Sequence, residues 1–253
     1  MIIEKIRISE TASLTAMLTN PENTENNRPA VLICPGGGYS FVSPREADPI
    51  ALQFAGIGYH TFILNYTVPP KEKYGALKEA SEAMCLIRKN AQKWSVNPDK
   101  IAICGFSAGA HLACTLGTKW HMEFLAAQGQ NKPNAMILAY PVISSDNTIW
   151  HQGSFKNLMG DGADYSEMSL EKWVSSNTPP TFLWHTVEDK TVPVENSLRF
   201  AAALQENNIS YEMHIYPKGG HGMALASDDP HVNSWVKLCL EWITLQFGDS
   251  TFK

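Results

Sequence analysis

Short, wholly apolar runs alternate along the chain with segments in which apolar residues recur every three or four positions. Runs such as 30–34 and 59–66 end at Gly or Pro, which is typical of strands that are buried on both faces. Further on, apolar residues at steps of three and four predict a helix with one apolar face. These residues are Leu77, Ala80, Met84, Ile87, Ala91 and Trp94.

The same patterns extend over most of the chain. They predict an edge hairpin within 6–18, strands at 30–34, 59–66, 101–104, 135–140, 181–184 and 211–216, and helices at 49–55, 77–94, 107–117, 193–207 and 231–247. Strands that alternate with helices indicate a mostly parallel sheet with helices on both faces, a three-layer α/β sandwich. We expect right-handed crossovers and one domain over residues 1–253.

Three segments interrupt this alternation. Segment 20–29 is polar and turn-rich and predicts a loop, and residues 97–99 (Asn-Pro-Asp) predict a turn. Segment 142–180 is too long for an ordinary connection, so we expect a small insert with short helices over the carboxyl edge of the sheet. A peripheral packing element is the alternative. Its Trp150 and Trp173 could stack on a sugar ring or serve packing alone.

Charge and composition exclude several classes of protein. The chain has 20 basic and 25 acidic residues with no basic run, so no nucleic-acid surface is expected. No apolar stretch reaches the length of a membrane span and residues 1–8 do not resemble a signal peptide, which predicts a cytoplasmic protein without a membrane partner. The five cysteines contain no CxxC pair, so we expect buried free thiols and no metal site.

Gly105-Phe106-Ser107-Ala108-Gly109 matches the G-x-S-x-G pattern of a nucleophile elbow. Such a serine stands on a strained turn between a strand and a helix, and the predicted strand 101–104 and helix 107–117 supply that context. The alternative is a serine that only caps the helix.

A glycine loop, Gly36-Gly37-Gly38, directly follows the first core strand. Ester hydrolysis needs N–H donors for the oxyanion of the tetrahedral intermediate, and we expect them at Gly37, Gly38 and Ala108. A phosphate cradle would require a different glycine pattern, and an ordinary turn is the remaining alternative.

The general base of such a site should be a histidine late in the chain. Among eight histidines, His221 is favoured because it lies in a glycine-rich loop after the last predicted strand. His60, His185 and His214 fall within apolar strand patterns and are predicted as core or supporting residues, while His151 precedes the expected acid. Glu188 and Asp189 both follow strand 181–184, and Asp189 is favoured. The order Ser107, Asp189, His221 is that of α/β-hydrolases.

Four groups of residues together resemble the α/β-hydrolase esterases related to acetyl xylan esterases, which adjoin the hormone-sensitive-lipase-like carboxylesterases. The groups are 34–39; 97–101 with 105–109; 184–186 with Asp189 and 192–193; and 219–222. The resemblance covers roughly residues 30 to 245. Two positions depart from the pattern: Pro35 stands where lipase-like relatives have His, and Ala110 where Gly is frequent.

The resemblance implies a serine carboxylesterase for short acyl groups, acetyl above all, on xylo-oligosaccharides or related sugars, with no metal or organic cofactor. Its partner would be a small-molecule ester, and a homo-oligomer stays open. Two alternatives remain: a peptidase of the same fold, and a non-catalytic binding module.

Overall fold

The computed structural model describes residues 1–19 and 27–248. Within this part of the chain, eight strands form one sheet in the order β1-β2-β4-β3-β5-β6-β7-β8. The strands are β1 (Ile2–Arg7), β2 (Ser13–Leu18), β3 (Arg28–Cys34), β4 (His60–Asn65), β5 (Val96–Phe106), β6 (Ala135–Ala139), β7 (Thr181–Thr186) and β8 (Tyr211–Tyr216). The predicted edge hairpin is present as the antiparallel pair β1 and β2, and β3 to β8 run parallel. Most of the predicted loop 20–29 lies outside the described residues.

Helices cover both faces of the sheet. They are α1 (Asp48–Gly56), α2 (Gly75–Lys89), α3 (Ala91–Trp94), α4 (Ala108–Lys119), α5 (Gln152–Met159), α6 (Glu195–Glu206) and α7 (Pro230–Phe247). Alternate residues of β3 separate two cores: Leu32 belongs to the core that includes residues of α2, α4 and α6, whereas Ile33 belongs to the core that includes residues of α1 and α7. Because both faces of the strands are buried, their sequences are apolar throughout. The predicted three-layer α/β fold is thereby confirmed.

Two predicted elements differ in detail. The stripe from Leu77 to Trp94 forms two helices, because the chain leaves the helix at Asn90, whose side-chain amide donates to the Leu86 carbonyl at 2.9 Å. Trp94 still reaches the core, where its ring packs against Phe62 with centroids 5.3 Å apart. The predicted turn 97–99 lies inside β5, where the pairing with β3 shifts register.

Segment 142–180 contains α5 and two 3₁₀ turns, Ser166–Met168 and Leu170–Trp173. The Asn157 side-chain amide on α5 donates to the carbonyl of Gly38 at 2.8 Å, so this helix lies against the glycine loop. All five cysteines are free, and four of them are buried. None of the helices within 1–19 and 27–248 combines the length and the apolar character that crossing a bilayer requires.

The first turn of α4 lies unusually close to the carboxyl end of β3. A Cβ atom added to Gly109 would lie 2.1 Å from the Cys34 carbonyl oxygen and 2.3 Å from that of Pro35. These are backbone atoms, so they cannot rotate away from a larger residue. Only glycine at this position lets the helix reach the start of the glycine loop.

We expect Gly109→Ala to destabilise the protein by about 1–3 kcal/mol or more, because the methyl group must displace backbone. The matched control is Gly56→Ala at the end of α1, where an added Cβ meets nothing within 4 Å and alanine is the better helix former. Urea unfolding of both variants measures the difference. Equal stability of the two would show that the close approach of α4 is not required.

Candidate active site

Ser107 stands alone between β5, which ends at Phe106, and α4, which begins at Ala108. Its backbone has φ 53° and ψ −117°, a conformation that non-glycine residues rarely adopt. The turn is held by hydrogen bonds from Ser107 N to Ala139 O at 3.0 Å and from His111 N to Ser107 O at 3.0 Å. The side chain makes no capping hydrogen bond to the helix, which argues against the capping-serine alternative.

The structure brings the three predicted residues into one hydrogen-bonded chain. Ser107 Oγ lies 2.7 Å from His221 Nε2, and His221 Nδ1 lies 2.6 Å from Asp189 Oδ2. Asp189 follows β7 and His221 follows β8, so parallel strands deliver all three side chains to one edge of the sheet. Glu188, the other candidate acid, is exposed.

Asp189 is buried, and both its oxygens accept hydrogen bonds. Oδ1 accepts from the amides of Thr191 and Val192, each at 2.9 Å, while Oδ2 accepts from His221 and, at 3.2 Å, from His185. Burial by itself would raise the pKa of the Asp189 carboxyl, but the hydrogen bonds from His185 and His221 outweigh burial and hold it well below its usual range. The carboxylate is therefore ionised and fixed beside His221.

His185 supports Asp189 from the core. Its Nε2 lies 2.9 Å from the Val192 carbonyl oxygen, which can only accept, so Nε2 carries the proton. Nδ1 then accepts from the Ser197 hydroxyl at 2.8 Å. This pairing agrees with the predicted supporting role of His185 and leaves it no free nitrogen for proton transfer with Ser107.

Two residues of the glycine loop adopt backbone conformations that favour glycine. Gly37 has φ 128° and Gly38 has φ 63°, and a Cβ on Gly37 would lie 2.0 Å from the Phe41 carbonyl oxygen. In the described part of the chain, no hydrogen bond uses the N–H of Gly37, Gly38 or Ala108. These three N–H groups are therefore left as donors without a partner among the described residues.

A buried carboxylate that the sequence did not indicate holds this loop in place. Glu46 is 3% exposed, and its Oε2 accepts from Gly36 N at 2.8 Å while Oε1 accepts from the Tyr140 hydroxyl at 2.6 Å. The same hydroxyl accepts from Ala224 N at 3.0 Å. Glu46 and Tyr140 therefore connect the glycine loop to the segment that follows His221.

Tyr140 also packs directly on His221. Its ring meets the His221 imidazole edge to face, with centroids 5.2 Å apart. Neighbouring Arg45 adds a second link, because its guanidinium donates to the Gly222 carbonyl at 3.1 Å. The turn that contains Arg45 and Glu46 thus contacts both loops. No local pattern in the sequence distinguishes Glu46 from a solvent-facing carboxylate.

A cavity of about 320 Å³ lies at this site. Ser107, His221, Gly37 and Gly38 line it, and His151 extends into it from segment 142–180. Trp150 and Trp173 do not line this cavity: Trp150 stacks on Phe155, and Trp173 packs under the Lys119 ammonium. Within residues 1–19 and 27–248, no three His, Cys, Asp or Glu side chains are placed to hold a metal ion.

The two other histidines on strands, His60 and His214, differ in burial because β4 lies inside the sheet and β8 lies at its edge. His60 on the central strand β4 is fully buried and accepts from Thr19 N at 3.0 Å. His214 is only half-buried and pairs with Glu212 at 2.8 Å. Its predicted place in the core is wrong, because β8 is an edge strand whose face is partly open to solvent.

The fold is that of the α/β-hydrolases. The profile of the BD-FAE family matches residues 17–204, and the chain belongs to this family. A solved acetyl ester-xyloside bifunctional hydrolase from Caldicellulosiruptor lactoaceticus is 36% identical, with a TM-score of 0.88 over 97% of this chain and 96% of that one.

Two curated relatives match a large part of this chain. Endo-1,4-beta-xylanase B of Butyrivibrio fibrisolvens is 37% identical over 82% of the chain and 34% of its own length. Acetylxylan esterase of Xylanibacter ruminicola is 31% identical over 82% of the chain and 43% of its own length. The chain thus spans less than half the length of either relative.

We expect Tyr140→Phe to lower the free energy of unfolding by about 1–3 kcal/mol, because the Glu46 carboxylate and the Ala224 amide each lose a buried partner. The matched control is Tyr165→Phe, which removes an exposed hydrogen bond to the Gly160 carbonyl and should change stability by less than about 0.5 kcal/mol. Urea denaturation compares them. An equal change in both would contradict a structural role for the Glu46–Tyr140 pair.

Proposed function

We propose that this chain is a serine esterase that removes short acyl groups, acetyl above all, from xylo-oligosaccharides or related sugars. The observation that carries the proposal is the unbroken chain from Ser107 Oγ through His221 to Asp189, at a cavity that Gly37 and Gly38 also line. The sugar ester is suggested by the acetyl ester-xyloside hydrolase and the acetylxylan esterase that this chain resembles.

In this proposal Ser107 Oγ attacks the ester carbonyl carbon and gives its proton to His221 Nε2. The amides of Gly37, Gly38 and Ala108 bind the oxyanion, each contributing about 3 kcal/mol to barrier lowering. The alcohol then leaves with the proton from His221, so an acyl-Ser107 ester remains. Water then attacks this ester and gives its proton to His221, which returns it to Ser107 Oγ as the acid leaves.

Asp189 holds the imidazole in the tautomer that presents an unprotonated Nε2 to Ser107. It takes no proton itself, because the hydrogen bonds it accepts favour the ionised carboxylate. The volume of the cavity is at the small end of the range for small-molecule sites, which suits a short acyl group with one small alcohol moiety.

Two other functions share this fold. A peptidase would require cleavage of amides by the same three residues, and relative rates on esters and peptide amides separate it from an esterase. A binding module would bind esters without turnover. The proposed nucleophile contacts its base at hydrogen-bond distance, and this observation favours an enzyme over a binding module.

Replacement of Ser107 by Ala should reduce hydrolysis of p-nitrophenyl acetate by about 10⁴-fold or more while the protein stays folded. The control is Ser40→Ala, a second serine at the same cavity, whose hydroxyl donates only to the Gly37 carbonyl and whose loss should change the rate less than about threefold. Initial rates and circular dichroism measure both. Full activity in Ser107→Ala would exclude this nucleophile.

The rate should fall as the pH decreases from about 8 to about 5, a range in which histidine is the side chain that normally changes charge. Asp189 does not contribute, because its pKa lies well below its usual range. Burial and the nearby His221 lower the pKa of His151 below its ordinary value, although Asp189 opposes them. A profile of kcat/KM against pH tests this, and a flat profile over a folded protein would contradict a histidine base.

A further inference from the structure

His151 occupies a distinctive position at the entrance of α5. It is the residue that precedes the helix, and its Nδ1 accepts the backbone N–H of Ser154 at 3.2 Å. The Ser154 hydroxyl lies 2.7 Å from the same nitrogen. The imidazole therefore caps the helix with one nitrogen while the ring lines the cavity that contains Ser107.

This cap determines which nitrogen carries the proton. The Ser154 N–H is shared between the His151 carbonyl oxygen at 3.0 Å and Nδ1 at 3.2 Å. A backbone N–H only donates, so Nδ1 presents its lone pair to Ser154, and the proton of the neutral ring stands on Nε2. Burial and the nearby His221 favour the neutral form, although Asp189 opposes them. Across residues 1–19 and 27–248, no acceptor is hydrogen-bonded to His151 Nε2. The ring thus offers a fixed, neutral donor at the cavity.

We propose that His151 Nε2–H donates a hydrogen bond to an oxygen of the alcohol moiety of the bound ester and so selects hydroxylated alcohols. This inference rests on the proposed esterase function. The ester carbonyl oxygen has its own donors in the amides of Gly37, Gly38 and Ala108. A short acyl chain carries no other acceptor, which leaves the alcohol as the source of the partner for His151.

The position of His151 agrees with such a contact. A Cβ on Gly38 would lie 3.8 Å from His151 Cε1, so the ring is adjacent to the glycine loop and borders the same cavity as Ser107. When the alcohol has no acceptor, the donor stays without a partner in the complex. Discrimination between hydroxylated and apolar alcohols of about 10- to 100-fold follows from one such hydrogen bond.

Two substitutions separate the cap from the donor. In His151→Asn the side-chain oxygen reaches the position of Nδ1 and keeps the cap, since Asn is a favoured capping residue, but nothing reaches Nε2. In His151→Gln the amide nitrogen reaches the position of Nε2 and keeps the donor, while the cap is lost. Thermal unfolding of both variants reports on the cap alone.

The substrates are methyl β-xyloside monoacetate, whose alcohol carries hydroxyl groups, and phenyl acetate, whose alcohol has no acceptor besides the ester oxygen. We expect His151→Asn to lower kcat/KM on the xyloside about 10- to 100-fold, mostly through KM, and to change phenyl acetate less than about twofold. His151→Gln should retain most of the xyloside activity.

Other outcomes overturn the inference in distinguishable ways. Equal losses on both substrates would place His151 with the oxyanion or with folding, and no loss on either would remove it from substrate binding. Wild-type hydrolysis of phenyl acetate without hydrolysis of the xyloside would overturn selection of hydroxylated alcohols and leave the esterase function standing. A folded wild type without activity on either ester would overturn the proposed function itself.

Discussion

The close approach of α4 to the end of β3 is the constraint on which the site depends. Gly109 allows the helix to touch the carbonyls of Cys34 and Pro35, where the glycine loop begins. This contact fixes the separation between Ser107 and the amides of Gly37 and Gly38. It also accompanies the strained backbone of Ser107, because the chain must turn sharply to enter a helix placed so close to the sheet.

Around this contact, buried polar groups position the loops that backbone packing alone would leave mobile. Asp189 accepts four hydrogen bonds and Glu46 accepts two from separate segments. A buried carboxylate without partners would be costly, whereas a satisfied one favours a single arrangement. Asp189 orients His221, while Glu46 and Tyr140 tie the glycine loop to the segment behind His221. The two networks meet at the His221 ring.

The sequence predicts the parts of the structure that carry a local signature. Ser107 has its motif, and Asp189 and His221 follow strands whose parallel ends meet at one edge, so the pattern of strands and loops is enough to place them close together. Glu46 and Tyr140 have no such signature, because their role depends on contacts across long sequence separation. At Asn90 a local pattern was present but misleading. The apolar stripe predicts one helix through this residue, whereas the helix ends there, where the Asn90 side chain donates to the Leu86 carbonyl. The position of His214 could not be predicted, because periodicity does not reveal which strand lies at an edge.

Segment 142–180 shows how a connection can modify a site without supplying its reactive groups. Through α5 it presents Asn157, which holds the Gly38 carbonyl, and His151, whose fixed donor faces the cavity. The carbonyl contact orients the loop that carries the proposed oxyanion donors, and the imidazole adds polarity at the cavity. Because Ser107, Asp189 and His221 lie on loops of the sheet instead, we expect substitutions in α5 to alter which alcohol the proposed esterase accepts while the geometry of these three residues stays intact. The order of residues along the sequence argued against His151 as the general base. The structure adds a physical reason: Nδ1 accepts the Ser154 N–H at the start of α5, so the ring can donate from Nε2 but has no free lone pair with which to accept the proton of Ser107.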